Sequence, residues 1–207
     1  MQPERHRAVA PLNLPNILTW LRILMIPAIV GTLYLPTTWL GSWEKNLTAT
    51  VLFVSAAVTD WLDGYLARKL NQMSAFGAFL DPVADKLMVA AALIVLVELE
   101  RAAAVVAMII IGREIAISAL REWMANIGQG KSVAVNFLGK LKTTFQMIAI
   151  PMLLYHDSIG GFDPQRVGTW LIWLAAVLTL VSMFYYLKLA GITRRRAGRA
   201  QADDYAA

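Results

Sequence analysis

Four aspartates carry the densest chemistry in the sequence: Asp60, Asp63, Asp81 and Asp85. Residues three or four apart on a helix share a face, so Asp60 and Asp63 form one pair and Asp81 and Asp85 a second. Clustered carboxylates repel and raise one another's pKa unless a cation neutralises them. An all-oxygen donor set suits Mg²⁺ or Mn²⁺ far better than a soft metal, and two such pairs read most naturally as a site for two ions. An aspartate at the centre of a membrane helix costs roughly 2.5 to 3.5 kcal/mol on insertion scales, less near the interface. Four of them in an apolar chain therefore point to function rather than to packing.

The elements that must position these acids are membrane helices. Of the 207 residues, 58% are hydrophobic and 16% charged, with a mean hydropathy of +0.56, whereas soluble domains carry about a quarter charged residues. A hydrocarbon core about 30 Å thick takes roughly 20 apolar residues per helical crossing. Six apolar stretches meet that need, over residues 17–35, 47–66, 82–99, 102–120, 141–155 and 167–189. The expected fold is all-α, a polytopic bundle of six transmembrane helices in one domain over 16–190. Residues 1–15 form a polar segment suited to the membrane surface or to fraying, and 191–207 a basic, then disordered, cytoplasmic tail. The first stretch is long, carries Arg22 and Pro27 and lacks a small-residue cleavage site, so it reads as a retained helix and not as a secretory signal. No internal repeat and no Gly-rich phosphate loop is present in the sequence.

Basic residues mark alternate connections: Arg5 and Arg7, then Arg68 and Lys69, then Lys131, Lys140 and Lys142, then Lys188 and Arg194 to Arg196. The positive-inside rule places both termini, and the connections after helices two and four, on the cytoplasmic side. The formal charge of +5 is explained by this bias without a nucleic-acid partner. Cysteine is absent, which excludes disulfides, thiolate metal sites and a cysteine nucleophile. His6 sits in the polar tail and His156 in a loop, leaving the aspartates as the candidate metal ligands. Between the acid pairs, Asp81-Pro82 has the pattern of an N-cap and first-turn proline. A loop over 69–80 then makes helices two and three antiparallel neighbours, with all four carboxylates converging at their cytoplasmic ends.

Gly64 and Ala67 adjoin the acidic face and leave room for a flat ligand or a close backbone. With them the pattern is complete. At Asp60, Asp63, Gly64, Ala67, Arg68, Gly77, Asp81 and Asp85 the chain resembles the CDP-alcohol phosphotransferase family, over about residues 14–187. The resemblance implies a six-helix membrane fold, usually a homodimer, whose signature residues Asp60, Asp63, Gly64, Ala67, Arg68, Gly77 and Asp81 bind the diphosphate of CDP-diacylglycerol. It also implies that Asp60, Asp63, Asp81 and Asp85 hold divalent metal, and that Asp85 is the catalytic base that deprotonates the acceptor hydroxyl. The segments around Asn16, Thr19 and Arg22, from Gly112 to Trp123, and from Gly139 to Thr144 resemble the bacterial branch whose acceptor is glycerol 3-phosphate, an enzyme of the inner membrane.

The residues themselves agree with a phosphate-bearing acceptor. Arg113 and Arg121 are eight apart on roughly one face of helix four, and Lys140 and Lys142 begin helix five on the membrane side of the acids. Together they make an acceptor-phosphate cradle that would repel choline or ethanolamine. Glu114 either orients Arg113 or balances its charge, and Arg22 either contacts the same phosphate or reaches the interface. The tryptophans, Trp20, Trp39, Trp43, Trp123, Trp170 and Trp173, suit an interfacial belt better than base stacking. Two other readings keep these residues: the same chemistry on inositol phosphate, serine or phosphatidylglycerol, or a metal- or proton-coupled transporter. A transporter calls for broken helices near the midplane and often for repeated halves, and neither is visible in the sequence.

Overall fold

The computed structural model describes residues 14–70, 75–126 and 137–184. Among them the architecture is all-helical, with α1 over Leu14–Tyr34, α2 over Ser42–Leu70, α3 over Ala75–Glu98, α4 over Ala104–Asn126, α5 over Phe137–Tyr155 and α6 over Pro164–Phe184. By length and composition, α1 over Ile17–Tyr34 and α6 are apolar enough to cross a membrane. The expected segments 1–15 and 191–207 lie outside the described residues, apart from the start of α1.

The helices outrun their apolar stretches because polar residues extend them. At the start of α2, Glu44 reaches back to accept the Gly41 N–H at 2.8 Å, the reciprocal half of a capping box. The beginning of α3 corrects the expectation from the sequence. The helix starts at Ala75, so Asp81 and Pro82 lie inside it instead of opening it. A proline there removes one ladder hydrogen bond and crowds the carbonyl four residues back, next to the acids.

The packing order is a further finding. Among the described residues α1 packs against both α2 and α3, α5 against α2 and α3, and α4 against α3, while α2 and α3 share no comparable face. Among the described residues the two acid-bearing helices are joined through α1, which packs against both. One core takes a buried side chain from every helix, among them Ile29, Phe53, Leu93, Ile110, Leu153 and Ile172.

The end of the bundle away from the acids is clasped by polar contacts. Glu100 adopts a left-handed conformation, φ 58°, and the Arg101 N–H returns to the Leu96 carbonyl at 2.8 Å, which closes α3 as a glycine would. The Arg101 guanidinium donates to the Leu154 carbonyl and to Asn46 Oδ1, each at 2.8 Å. Asn46 donates in turn to Asp157 at 2.8 Å, and Gln165 donates to the Arg101 carbonyl at 3.0 Å. Burial lowers the pKa of Arg101 from its ordinary value, with Asp157 opposing the shift.

Helices α5 and α6 approach closely at Gly168, where an added Cβ would lie 2.9 Å from Leu153 Cγ and 3.1 Å from Met152 Cβ. Met152 Cβ cannot rotate away. Gly168→Ala is expected to destabilise the fold by about 1 to 3 kcal/mol, the usual cost of overpacking, read as a lower thermal midpoint in detergent. An unchanged or raised midpoint would show that the helices can separate there at little cost.

Candidate active site

The acids are positioned by α1. Thr19 and Arg22 are one turn apart on the same face and reach opposite neighbours. Arg22 is 0% exposed, and its Nη1 lies 2.6 Å from Asp60 Oδ1 on α2. Thr19, also buried, donates a short hydrogen bond to Asp81 Oδ1 on α3. A guanidinium removed from water is stable only when paired, so burying Arg22 fixes Asp60 against α1. To the two possibilities left open for Arg22 the structure adds an ion pair with Asp60. Thr19 had no assigned role in the sequence. Its signal was the polar line Asn16, Thr19, Arg22 along an otherwise apolar helix.

Asp60 keeps 45% of its side chain exposed, and Asp81 and Asp85 are half-buried. Asp85 lies within electrostatic reach of Asp60, Arg22 and Glu114. The side chains of Asp63, Ala67 and Arg68, and Gly64, lie outside the described residues, although α2 runs through all four positions. Gly77 is buried near the start of α3. Among the described residues no three acidic or histidine side chains form a metal-holding group. What the structure describes is one acid on each of α2 and α3, gripped from α1 through Oδ1, with Asp85 beside them.

The basic residues divide into two sets. Arg113 is 6% exposed and Lys142 3%, and both address one oxygen, Glu114 Oε1. Arg113 Nη1 lies 3.4 Å from it, and Lys142 Nζ forms a closer ion pair. Arg113 Nη2 also donates to Ser182 Oγ on α6 at 3.1 Å. Helices α4, α5 and α6 therefore meet in a largely buried polar cluster in which, among the described residues, two cations address the Glu114 carboxylate. Arg121 is exposed but within electrostatic reach of Lys142. Lys140, two residues from Lys142 and so on another face of α5, is exposed. Glu114 both contacts Arg113 and shares its charge with Lys142, which joins the two roles considered for it.

An apolar groove of about 250 Å³ runs between α2 and α5, lined by residues including Phe53, Val58, Trp61 and Met147, and so reaches the residue after Asp60. The six tryptophans assigned to an interfacial belt are all exposed or half-exposed on the outside of the bundle, as that role requires.

A family model described as CDP-alcohol phosphatidyltransferase matches residues 12–181. Curated relatives named CDP-diacylglycerol–glycerol-3-phosphate 3-phosphatidyltransferase, from Shigella flexneri serotype 5b (strain 8401) and Escherichia coli (strain K12), are each 48% identical over 180 residues. Each alignment covers 86% of this chain and 94% of the relative.

Proposed function

We infer, because the chain belongs to the CDP-alcohol phosphatidyltransferase family, that it transfers the phosphatidyl group of CDP-diacylglycerol to glycerol 3-phosphate, giving phosphatidylglycerophosphate and CMP. The observation that carries the choice of acceptor is the buried pair Arg113 and Lys142 sharing the single carboxylate of Glu114. Among the described residues two cations face one carboxylate there, and burial magnifies the preference of such a cluster for an anion. A phosphate on the acceptor answers that charge, and a quaternary amine would be repelled.

The donor diphosphate belongs at the acids, with Gly64, Ala67, Arg68 and Gly77 around it. The donor set is all oxygen, and Asp60 and Asp81 are each held from α1 through one oxygen, which fits Mg²⁺ or Mn²⁺ held by Asp60, Asp63, Asp81 and Asp85. Two such ions, when bound, would neutralise the diphosphate and the charge developing on departing CMP. Asp85 accepts the proton of the acceptor hydroxyl. The freed oxygen bonds the phosphorus of the phosphatidyl group while the bond from that phosphorus to CMP breaks, and CMP leaves with the electron pair. The substrate supplies its own nucleophile, and Ser118 is occupied by its bond to the Glu114 carbonyl at 2.6 Å. The groove between α2 and α5 offers an apolar surface to a donor acyl chain.

The same reading sets all six helices across the bacterial inner membrane as one domain over 16–190, with both termini and the acids on the cytoplasmic side. Large apolar side chains face outward on every helix, among them Leu24, Val58, Ile94, Met108, Ile148 and Phe184. A soluble bundle of this size would not expose so much apolar surface, whereas lipid covers it without cost. Homodimerisation belongs to this reading as well.

The test is an acceptor panel: purified protein with CDP-diacylglycerol, Mg²⁺ and, separately, glycerol 3-phosphate, inositol phosphate, serine and phosphatidylglycerol, with the lipid product identified by mass spectrometry. Phosphatidylglycerophosphate is expected from glycerol 3-phosphate alone. A product from serine would overturn the acceptor assignment. Metal uptake by proteoliposomes without CMP release from any mixture would favour transport.

A further inference from the structure

Helix α6 is apolar except for a few positions, and two of its hydroxyl residues, Thr179 and Ser182, are 0% exposed. A buried hydroxyl is costly unless its hydrogen bonds are made, and those of Ser182 run in one direction. Its single proton goes to the Thr179 carbonyl at 2.9 Å, so toward Arg113 it can only accept, from Nη2 at 3.1 Å. The chain from guanidinium to hydroxyl to carbonyl is buried, and its bonds polarise one another in the same sense. The next residue, Met183, packs against the Ile117 and Met124 cluster of α4, which holds this stretch of α6 in place.

The guanidinium is thereby gripped at two points. Glu114 takes Nη1 at a long 3.4 Å through an oxygen it shares with Lys142. Ser182 takes Nη2 from the opposite element. A planar fork recognises phosphate through parallel N–H bonds, so its usefulness depends on the rotation of that plane. The Glu114 contact on Nη1 and the Ser182 bond on Nη2 lie at different corners of the fork, so together they restrict the turning of its plane.

We propose that Ser182 is a positioning residue for the acceptor, fixing the plane of the Arg113 guanidinium so that it meets the acceptor phosphate. The proposal rests on the acceptor reading above. Ser182 contacts none of the acids among the described residues, so its effect belongs to acceptor binding and leaves the donor site alone.

The experiment is steady-state kinetics on the full-length protein with glycerol 3-phosphate and CDP-diacylglycerol varied separately. Ser182→Ala is expected to raise KM for glycerol 3-phosphate about ten-fold, as loss of a hydrogen bond to a charged group does. Both kcat and KM for CDP-diacylglycerol should stay within about two-fold of wild type, the pattern of lost uniform binding. Ser182→Cys, close in volume but a weak acceptor, carries the same expectation and serves if the alanine variant fails to fold. A merely structural serine would instead lower kcat and thermal stability without a selective rise in acceptor KM, and that result, or an unchanged KM in either variant, overturns the proposal. If the wild-type protein makes no phosphatidylglycerophosphate, the acceptor reading fails first and this inference with it; an active wild type with indifferent Ser182 variants sinks the inference alone.

Discussion

Asp85→Asn lowers kcat by about a thousand-fold or more and leaves the protein folded. General-base catalysis contributes typically about 10² to 10⁴, and in this reading the same carboxylate also faces the divalent cations, so the loss falls toward the upper end. Asparagine keeps the size of the side chain and removes its charge. Since Asp85 lies within reach of both Asp60 and Glu114, removing that charge relieves repulsion between carboxylates, and the thermal midpoint should hold or rise. CMP release at saturating donor and acceptor is the measurement, with the midpoint as control. A variant that keeps a tenth of wild-type turnover would exclude Asp85 as the base.

Arg113→Ala abolishes useful recognition of glycerol 3-phosphate. With Arg113 gone, Glu114 and Lys142 remain as a neutral ion pair and the excess positive charge of the cluster disappears. Breaking a buried, hydrogen-bonded charge contact costs about 3 to 5 kcal/mol, which corresponds to roughly a hundred-fold to several-thousand-fold in kcat/KM for the acceptor. The donor should be much less affected, because the contacts described for Arg113 run to Glu114 on α4 and Ser182 on α6. Arg113→Lys is expected to recover only part of the loss, as an ammonium replaces the charge but not the fork. Undiminished transfer to glycerol 3-phosphate in Arg113→Ala would refute the role given to it.

Much of this was legible in the amino-acid sequence, and what was hidden has physical causes. The helix count followed from apolar length, and the placement of Asp60 with Asp63 on one helix and of Asp81 with Asp85 on the next from their spacing. Helix ends were less visible, because hydropathy marks the apolar part of a helix and is blind to polar turns such as those around Ser42 and Ala75. Asp81-Pro82 has the composition of a cap, yet proline is also tolerated within a helix that neighbours support, and α3 uses it so. The order of packing was hidden more deeply. An apolar face does not name its partner, so nothing but the polar line of Thr19 and Arg22 hinted that α1 lies between α2 and α3. Arg113, Arg121, Lys140 and Lys142 stood out together as charges on apolar helices, whereas Ser182, an ordinary residue of an apolar helix, becomes visible only once Arg113 is seen to rest on it. Arg121 and Lys140 met the same charge rule but are exposed, which helical phase alone could not separate from the buried pair.

The physical centre of this reading is a divalent-cation site built from the acids of α2 and α3 around α1. Titration of the purified protein with Mn²⁺, followed by the disappearance of the free-ion electron paramagnetic resonance signal, tests it without any turnover. Saturable binding by the wild-type protein and its loss in an Asp81→Asn, Asp85→Asn double variant that remains folded is the expected result. Equal Mn²⁺ binding by the two proteins would contradict it.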